Sequence, residues 1–378
     1  MRLLVLYQGR DAATDQPGYF HGYERLASEG MLEAHATLAY HGIAAARGWP
    51  AVWQEAESAA RAMEADAICL QFFHGDSIPD PTAGIQRLRA LPSKPLLFTT
   101  LGDGYGRILK RVPASFRRAS ALADVSFLSG MGYVARQLAA SGSRNLVLIP
   151  NGCCQVRFAA PASATPDRPD FDVAFIGSLV RSSNPLSPYF WASRSRARFV
   201  DACERRYGSR FGLFGNGWQG RKCWQGPMPF TEQHRAYHRS ALALGGIPHF
   251  SHDYYTSDRV FFAIASGVPF VDSWVRGVEH ILEPDHDWWL ARGLPDMFDI
   301  CDRLLAMPAA ERQALGDAAR RTILARHTQY HRCAQMMEVV RSVRDARRKG
   351  RLAPPPVLPF VRTHGTTPAP PAVVAWQG

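Results

Sequence analysis

The sequence predicts two α/β domains whose parallel sheets face each other across a cleft, because short apolar runs alternate with amphipathic stretches in two separate sets. The 378 residues are too many for one ordinary core and enough for two. Residues 159–170, rich in Pro, Ala and Asp, divide the two sets and predict a linker. Right-handed crossovers bring the loops after parallel strands to one edge, so we expect ligands to bind between the two sheet edges.

The first predicted domain covers residues 1–158. Its apolar runs predict strands at Arg2–Tyr7, Ala67–Phe73, Pro95–Thr100, Val125–Leu128 and Leu146–Ile149. Its periodic stretches predict helices at Tyr23–Arg47, Thr82–Leu91 and Gly132–Ala140. The first apolar run is short and soon meets Gly, Arg and Asp, which favours a buried strand over a signal peptide.

The second predicted domain covers residues 171–350 and ends in helices. Strands are predicted at Phe171–Ile176, Phe211–Phe214, Ala241–Leu244 and Val268–Val271. Helices are predicted around Phe199–Tyr207, at Asp258–Ser266 and from Met297 to Arg348. Residues 351–378 are rich in Pro, Ala and Thr, which predicts a disordered tail.

Composition narrows the class of protein and its partners. The net charge of +11 can attract phosphates, nucleic acid or an anionic membrane surface, and Arg is enriched at 341–351. No interleaved basic and aromatic motif appears, so a nucleic-acid partner is disfavoured, while peripheral membrane contact stays open. The seven cysteines are scattered without zinc-like spacing, which predicts a cytoplasmic protein without a structural metal. No apolar run reaches the roughly 18 residues of a membrane helix.

The densest polar signal lies at Tyr254–Gly277. Ser257 or Asp258 can cap a helix whose first turn exposes unpaired amides, and Arg259 adds a cation beside them. A helix N-terminus with an arginine is a good site for a pyrophosphate. The alternative is an ordinary helix–strand unit with a surface arginine.

Two glycine-containing turns follow strands of the second domain. Gly177 and Ser178 would let a phosphate or ribose approach the backbone, with Arg181 close behind. The turn of Gly215, Asn216, Gly217 and Trp218 would leave room for a flat base. Its alternative is a glycine turn with a buried tryptophan.

The ordered set FIGS, GNGW, YYTSDRVFFAIASGVP, GVEHIL and HTQYHR, over about residues 170–335, resembles the C-terminal domain of GT-B glycosyltransferases of the CgeB-like and GT4-like group. The first half resembles them in architecture alone. The resemblance implies two Rossmann-like domains and transfer of a sugar from a nucleoside-diphosphate sugar to a hydroxyl, in cell-surface or secondary glycan synthesis. It also implies donor contacts: Gly177, Ser178 and Arg259 at the diphosphate, the 215–218 turn near the base, and Glu279 at a donor hydroxyl.

The sequence departs from the GT4-like pattern at two positions, which limits what the resemblance implies. The GT4-like pattern has two glutamates separated by seven residues, and their positions here are Tyr254 and Phe262. The stereochemistry of transfer therefore does not carry over. A nucleotide-sugar epimerase of the same architecture and a non-catalytic binding protein stay open as alternatives.

The first domain should hold the acceptor and the general base. Asp103 ranks first because glycines flank it after a strand, His21 ranks second and His74 third. For each of these the alternative is a hydrogen bond that orders a loop. The acceptor could be a glycan, a lipid-linked molecule or a small molecule. No DxD-like pair stands out, so we expect no cofactor and no metal, with arginines and helix dipoles facing the diphosphate.

Overall fold

A computed structural model describes residues 1–75, 77–106, 110–158, 169–246, 252–362, 364–365 and 368–378. It contains two parallel sheets, as the alternating pattern predicts. The first sheet has the strand order β12-β6-β5-β4-β3-β1-β2, and only β12 runs antiparallel to its neighbour. Its first six strands are β1 Arg2–Tyr7, β2 Ala34–Ala39, β3 Ala67–Leu70, β4 Leu96–Leu101, β5 Val125–Leu128 and β6 Leu146–Leu148.

The described helices between β1 and β6 are α1 Ala12–Asp15, α2 Pro17–Ser28, α3 Tyr40–Arg47, α4 Trp49–Ala62, α5 Thr82–Arg89, α6 Ala114–Leu122 and α7 Tyr133–Ala140. The prediction of a single helix at Tyr23–Arg47 is wrong. This segment contains the end of α2, the strand β2 and the helix α3. β2 pairs in parallel with β1 at the sheet edge. It is half-buried there and consists mostly of small residues, so its sequence lacks the apolar run that marks a fully buried strand.

The second sheet has the strand order β11-β10-β9-β7-β8. Its strands are β7 Phe171–Ile176, β8 Phe211–Phe214, β9 Ser240–Leu244, β10 Phe270–Ser273 and β11 Trp289–Ala291. The short β11 was not predicted. The helices that follow are α8 Pro188–Tyr207, α9 Gln233–His238, α10 Asp258–Ala265, α11 Leu294–Ala306, α12 Ala309–Arg326 and α13 Gln329–Arg348. Most of the predicted linker, residues 159–168, lies outside the described residues.

The last helix, α13, packs mainly on α2 of the first domain, although the sequence assigns it to the second. A Cβ added at Gly22 of α2 would lie 3.2 Å from Tyr330 Cα, so glycine lets the two helices approach closely. Arg332 of α13 is fully buried, and its Nε donates to the Pro150 carbonyl oxygen at 2.8 Å. The chain thus returns across the domain boundary after α12.

The basic stretch 341–351 is engaged within the molecule. Arg344 and Arg348 form ion pairs with Asp66, at 3.3 and 2.9 Å, and Arg347 pairs with Asp124. These aspartates belong to the first domain, so the arginines help to fix α13 to it. The enrichment in arginine therefore has a structural explanation.

The prediction of a disordered C-terminal tail is wrong for the described part of residues 351–378. Val373 and Val374 form β12, which pairs with β6 and covers that edge of the first sheet. Phe360 is buried, and Trp376 Nε1 donates to the Ala353 carbonyl oxygen at 2.8 Å. A few apolar residues spaced among prolines are enough to attach this segment, although its average composition is that of a disordered one.

None of the described helices is long and apolar enough to cross a membrane. All seven cysteines are buried free thiols.

Candidate functional site between the domains

Two cavities lie between the domains, one at the carboxyl edge of each sheet. The second-sheet cavity has a volume of about 330 Å³ and is lined by residues from α8, α10 and the ends of β9 and β10, among them Arg196, Arg259, Gly245 and Asp272. The first-sheet cavity has a volume of about 240 Å³. Tyr255 lines both, so the two cavities adjoin at this aromatic side chain.

Contacts between the domains keep the two cavities adjacent. The Met131 N–H donates to the Asp253 carbonyl oxygen at 2.8 Å, and the Tyr105 N–H donates to His252 Nε2 at 3.1 Å. Burial lowers the pKa of His252 to about 4, so at neutral pH its ring is uncharged and can accept this bond. A Cβ on Gly104 would lie 3.1 Å from the Tyr255 ring, so the glycine allows close packing there.

Two guanidinium groups face the second-sheet cavity. The Arg259 guanidinium lies 5.4 Å from the centre of the Phe175 ring. Arg196, from α8, donates to the Ser178 carbonyl oxygen. Burial and the neighbouring charge of Arg259 lower the pKa of Arg196 to about 10, which leaves it a cation at neutral pH. Two partly desolvated cations close together favour a ligand with two negative charges.

Among the described residues that line this cavity, Asp272 is the only acidic one. It belongs to β10, and its Oδ1 accepts the N–H of Ser273 at 2.8 Å. Burial raises the pKa of Asp272 to about 7, although the Ser273 N–H and Arg259 act in the opposite direction. The carboxyl group therefore holds a proton more readily than that of an exposed aspartate.

The first-sheet cavity is polar with aromatic walls. Tyr19 and Phe72 line it together with the polar side chains of Gln16, His74, Asp103, Asn151, Asp258 and Gln329. Asp103 is about half exposed and lies 3.4 Å from Lys110 Nζ. Aromatic faces with several hydrogen-bonding groups suit a ligand that carries many hydroxyls.

Comparison with known proteins agrees with this geometry. Residues 194–338 match the family model described as "Glycosyl transferase-like". HepE from Anabaena, crystallised with UDP and glucose, superposes with a TM-score of 0.56 at 12% identity, over 90% of this chain and 100% of that one. The chain has the GT-B fold.

Two further solved structures share the GT-B fold. Sucrose-phosphate synthase from Thermosynechococcus elongatus has a TM-score of 0.54 at 14% identity, over 90% of this chain and 98% of its own. The trehalose 6-phosphate synthase from Burkholderia multivorans has a TM-score of 0.53 at 13% identity, over 91% and 99%. No curated protein matches the sequence.

Within this GT-B structure, the predicted donor residues divide into two groups. Ser257 and Arg259 line the second-sheet cavity, at the start of α10. Gly177 lies beside them, since a Cβ there would be 3.5 Å from Arg259 Nη2. Ser178 contributes its carbonyl oxygen to Arg196, a cation that sequence reasoning missed. Arg181, the predicted cation, is exposed and is not among the lining residues.

The turn of residues 215–218 does not face the cavity as a base-binding turn would. Trp218 is buried, and its Nε1 donates to the Gly177 carbonyl oxygen at 2.6 Å. The Asn216 N–H donates to Ser178 Oγ at 3.3 Å. A Cβ on Gly217, which has a φ of +86°, would lie 2.2 Å from the Leu179 carbonyl oxygen. The turn therefore packs behind residues 177–179, and the alternative of a glycine turn with a buried tryptophan describes it.

Glu279 is buried in a short 3-10 turn, Val278–His280, whose Val278 lines the second-sheet cavity. Glu279 is not itself among the lining residues, and its Oε2 is buried with no hydrogen-bond partner among the described residues. A side-chain movement would be needed before it could meet a donor hydroxyl.

The two aromatic residues at the expected glutamate positions are both part of the packing. Tyr254 is buried, and its hydroxyl donates to the Pro370 carbonyl oxygen of the tail. Phe262 stacks on Phe158, with ring centres 5.7 Å apart. Neither position could take a carboxylate without loss of an apolar contact.

The three predicted bases also differ in position. Asp103 and His74 both line the first-sheet cavity. His74 Nδ1 lies 3.0 Å from the Tyr105 hydroxyl, and burial lowers the pKa of this imidazole. His21 is placed wrongly by the sequence prediction. It lies on the exposed face of α2, its Nδ1 is 2.5 Å from Glu24 Oε2, and it lines neither cavity.

Asp258 is a candidate that the sequence suggested only as a helix cap. It lines the first-sheet cavity, and desolvation raises the pKa of its carboxyl group. Among the described residues there is no group of three or more His, Cys, Asp or Glu side chains that could hold one metal ion.

Proposed function

We propose that this protein is a glycosyltransferase that moves a sugar from a nucleoside-diphosphate sugar to a hydroxyl group, as a member of the CgeB-like and GT4-like group. The observation that carries the proposal is the pair Arg196 and Arg259 in the second-sheet cavity, which adjoins a cavity that contains carboxylates. This arrangement matches the needs of the reaction, in which a diphosphate leaves and a hydroxyl loses a proton.

The second-sheet cavity would bind the donor. Arg196 and Arg259 would neutralise the diphosphate, first in the bound donor and then more strongly as it leaves with an extra negative charge. Their two fixed cations would serve in place of a metal ion. HepE, which shares this fold, was crystallised with UDP-glucose as well as with UDP.

The first-sheet cavity would bind the acceptor. Its hydroxyl oxygen would form the new bond to the anomeric carbon while the bond from that carbon to the diphosphate oxygen breaks. Asp103 would accept the hydroxyl proton, since it lines this cavity and is accessible. The aromatic faces of Tyr19 and Phe72 would pack against the apolar faces of the acceptor.

A thermal-shift screen against UDP, GDP, dTDP and CDP sugars tests the donor site. A ligand that binds only the native state raises the melting temperature by mass action. We expect one nucleotide class to do so, and we expect Arg259→Ala and Arg196→Ala each to lose most of the shift. Arg181→Ala is the matched control, because Arg181 is an exposed arginine outside the cavity lining. If no nucleotide sugar shifts the wild type, the proposal is wrong.

Tyr254 and Phe262 give a specific reason to test a second function, that of a non-catalytic binding protein. Both expected carboxylates are replaced by buried aromatic side chains. Donor binding with neither transfer nor hydrolysis would establish this second function. An epimerised sugar nucleotide formed without acceptor would instead identify an epimerase.

A further inference from the structure

We propose that Asp272 binds a pair of neighbouring hydroxyl groups on the donor, and so supplies the carboxylate that Tyr254 and Phe262 lack. The inference rests on the proposed function, since it assigns a residue to the donor cavity. The ligand chemistry is a vicinal diol, which a ribonucleotide sugar carries on its ribose and a hexose donor also carries on its transferred sugar.

The strands of the second sheet fix the position of Asp272. β10 lies between β9 and β11, and Asp272 faces the second-sheet cavity from this strand. A Cβ added to Gly245, at the end of β9, would lie 1.9 Å from Asp272 Oδ1 and 2.8 Å from Oδ2. Glycine at 245 is therefore required for the carboxyl group to occupy this place. The Ser273 N–H on Oδ1 also fixes its orientation.

The charges of the cavity argue that this carboxyl group serves a ligand. Among the described residues, its other lining side chains that carry a charge at neutral pH are Lys110, Arg196 and Arg259, all basic. A carboxylate beside a diphosphate is unfavourable unless the same ligand also offers hydrogen-bond donors. A nucleotide sugar does so, because its phosphates can meet the arginines and two neighbouring hydroxyls can donate to the two carboxylate oxygens.

Two substitutions separate a purely structural role of Asp272 from a role in ligand binding. Its hydrogen bond from Ser273 needs only a carbonyl-type oxygen, and an amide supplies one. Asp272→Asn therefore keeps the shape and can keep that bond, while it removes the charge and one acceptor. Gly245→Ala is the complementary variant, because it retains the carboxylate and displaces it.

Calorimetric titration of the wild type, Asp272→Asn and Gly245→Ala with matched ligands tests the inference. The probes are UDP and GDP, their 2′,3′-dideoxy counterparts, UDP-glucose and GDP-mannose. If Asp272 binds the ribose, the wild type should prefer a ribonucleotide over its dideoxy form about tenfold or more, and both variants should lose this preference. If it binds the sugar, the variants should bind the nucleotides normally and lose about tenfold in affinity for the nucleotide sugar.

Two results would overturn the inference, and they are distinguishable. If both variants bind every probe as the wild type does, Asp272 is not a donor ligand, although the proposed function stands. If the wild type binds none of these probes and none of the nucleotide sugars of the thermal-shift screen, the proposed function fails and the inference fails with it. Melting curves of the unliganded variants check that each is folded.

Discussion

At the scale of single residues, the first-sheet cavity is lined by three carboxyl groups with different surroundings. Asp15 accepts the Arg10 N–H at 2.7 Å. Asp103 is accessible and has Lys110 beside it, whereas desolvation raises the pKa of Asp258. A carboxyl group that takes a proton from a hydroxyl has to be unprotonated before the reaction. The raised pKa of Asp258 works against this, and His74 is buried with its Nδ1 beside the Tyr105 hydroxyl, so we place Asp103 first.

We therefore expect Asp103→Asn to lower turnover by about 10²–10⁴-fold, the range typical of a lost general base. Donor affinity should change little, because Asp103 lines the acceptor side and not the donor side. Steady-state kinetics with the donor found in the screen measures both. His21→Asn is the control, since this exposed histidine lies on α2 and should retain full activity. Normal turnover by Asp103→Asn would direct the search to Asp258.

At the scale of elements, the donor cavity depends on a turn that never touches its interior. Trp218 bonds the Gly177 carbonyl oxygen, and the loop of Gly177 and Ser178 in turn holds Arg196 in place. The turns after β7 and β8 thus form two layers. Residues 177–179 lie next to Arg259, and residues 215–218 pack behind them.

Trp218→Phe should lower the free energy of unfolding by about 2–4 kcal/mol, because it leaves the Gly177 carbonyl without its donor and opens a small void. Donor affinity should fall as well, since the loop that positions Arg196 loses its support. Urea unfolding and the thermal-shift assay measure the two effects. Trp191→Phe is the matched control, as Trp191 is 57% exposed and Trp218 only 1%. Equal stability of the two variants would contradict the two-layer description.

The sequence predicts most strands of this fold because parallel strands buried on both faces appear as continuous apolar runs, as β1 and β3 do. β2 escapes prediction because it lies at an edge and contains small, half-buried residues. Arg196 carries no local signal, since it lies within a helix and reaches the cavity only through tertiary packing. Asp272 could have been found, as a polar residue at the end of a buried strand.

At the scale of the whole molecule, the C-terminal tail joins the two domains. Its Arg362 N–H donates to the His280 carbonyl oxygen of the second domain at 2.8 Å, while β12 pairs with β6 of the first. Just before Arg362, Phe360 is buried with its ring centre 5.2 Å from the Arg332 guanidinium. The tail therefore belongs to the folded core of the molecule.

Phe360→Ala should cost about 3–5 kcal/mol of stability, the usual effect of removing a buried phenylalanine side chain. Val357→Ala, in the same tail but 89% exposed, should cost well under 1 kcal/mol. Urea denaturation of the full-length variants makes the comparison. If the two substitutions are equally mild, the tail does not contribute to the folded core.

The contact between Tyr254 and Pro370 has an evolutionary consequence. Tyr254 occupies a position that the resemblance assigns to a glutamate, and its hydroxyl anchors the tail. Tyr254→Glu would both bury a charge and remove that anchor, so we expect it to destabilise this protein. Residue 254 and the tail therefore constrain each other, and a carboxylate at 254 should be tolerated only in a protein whose tail is absent or follows another path.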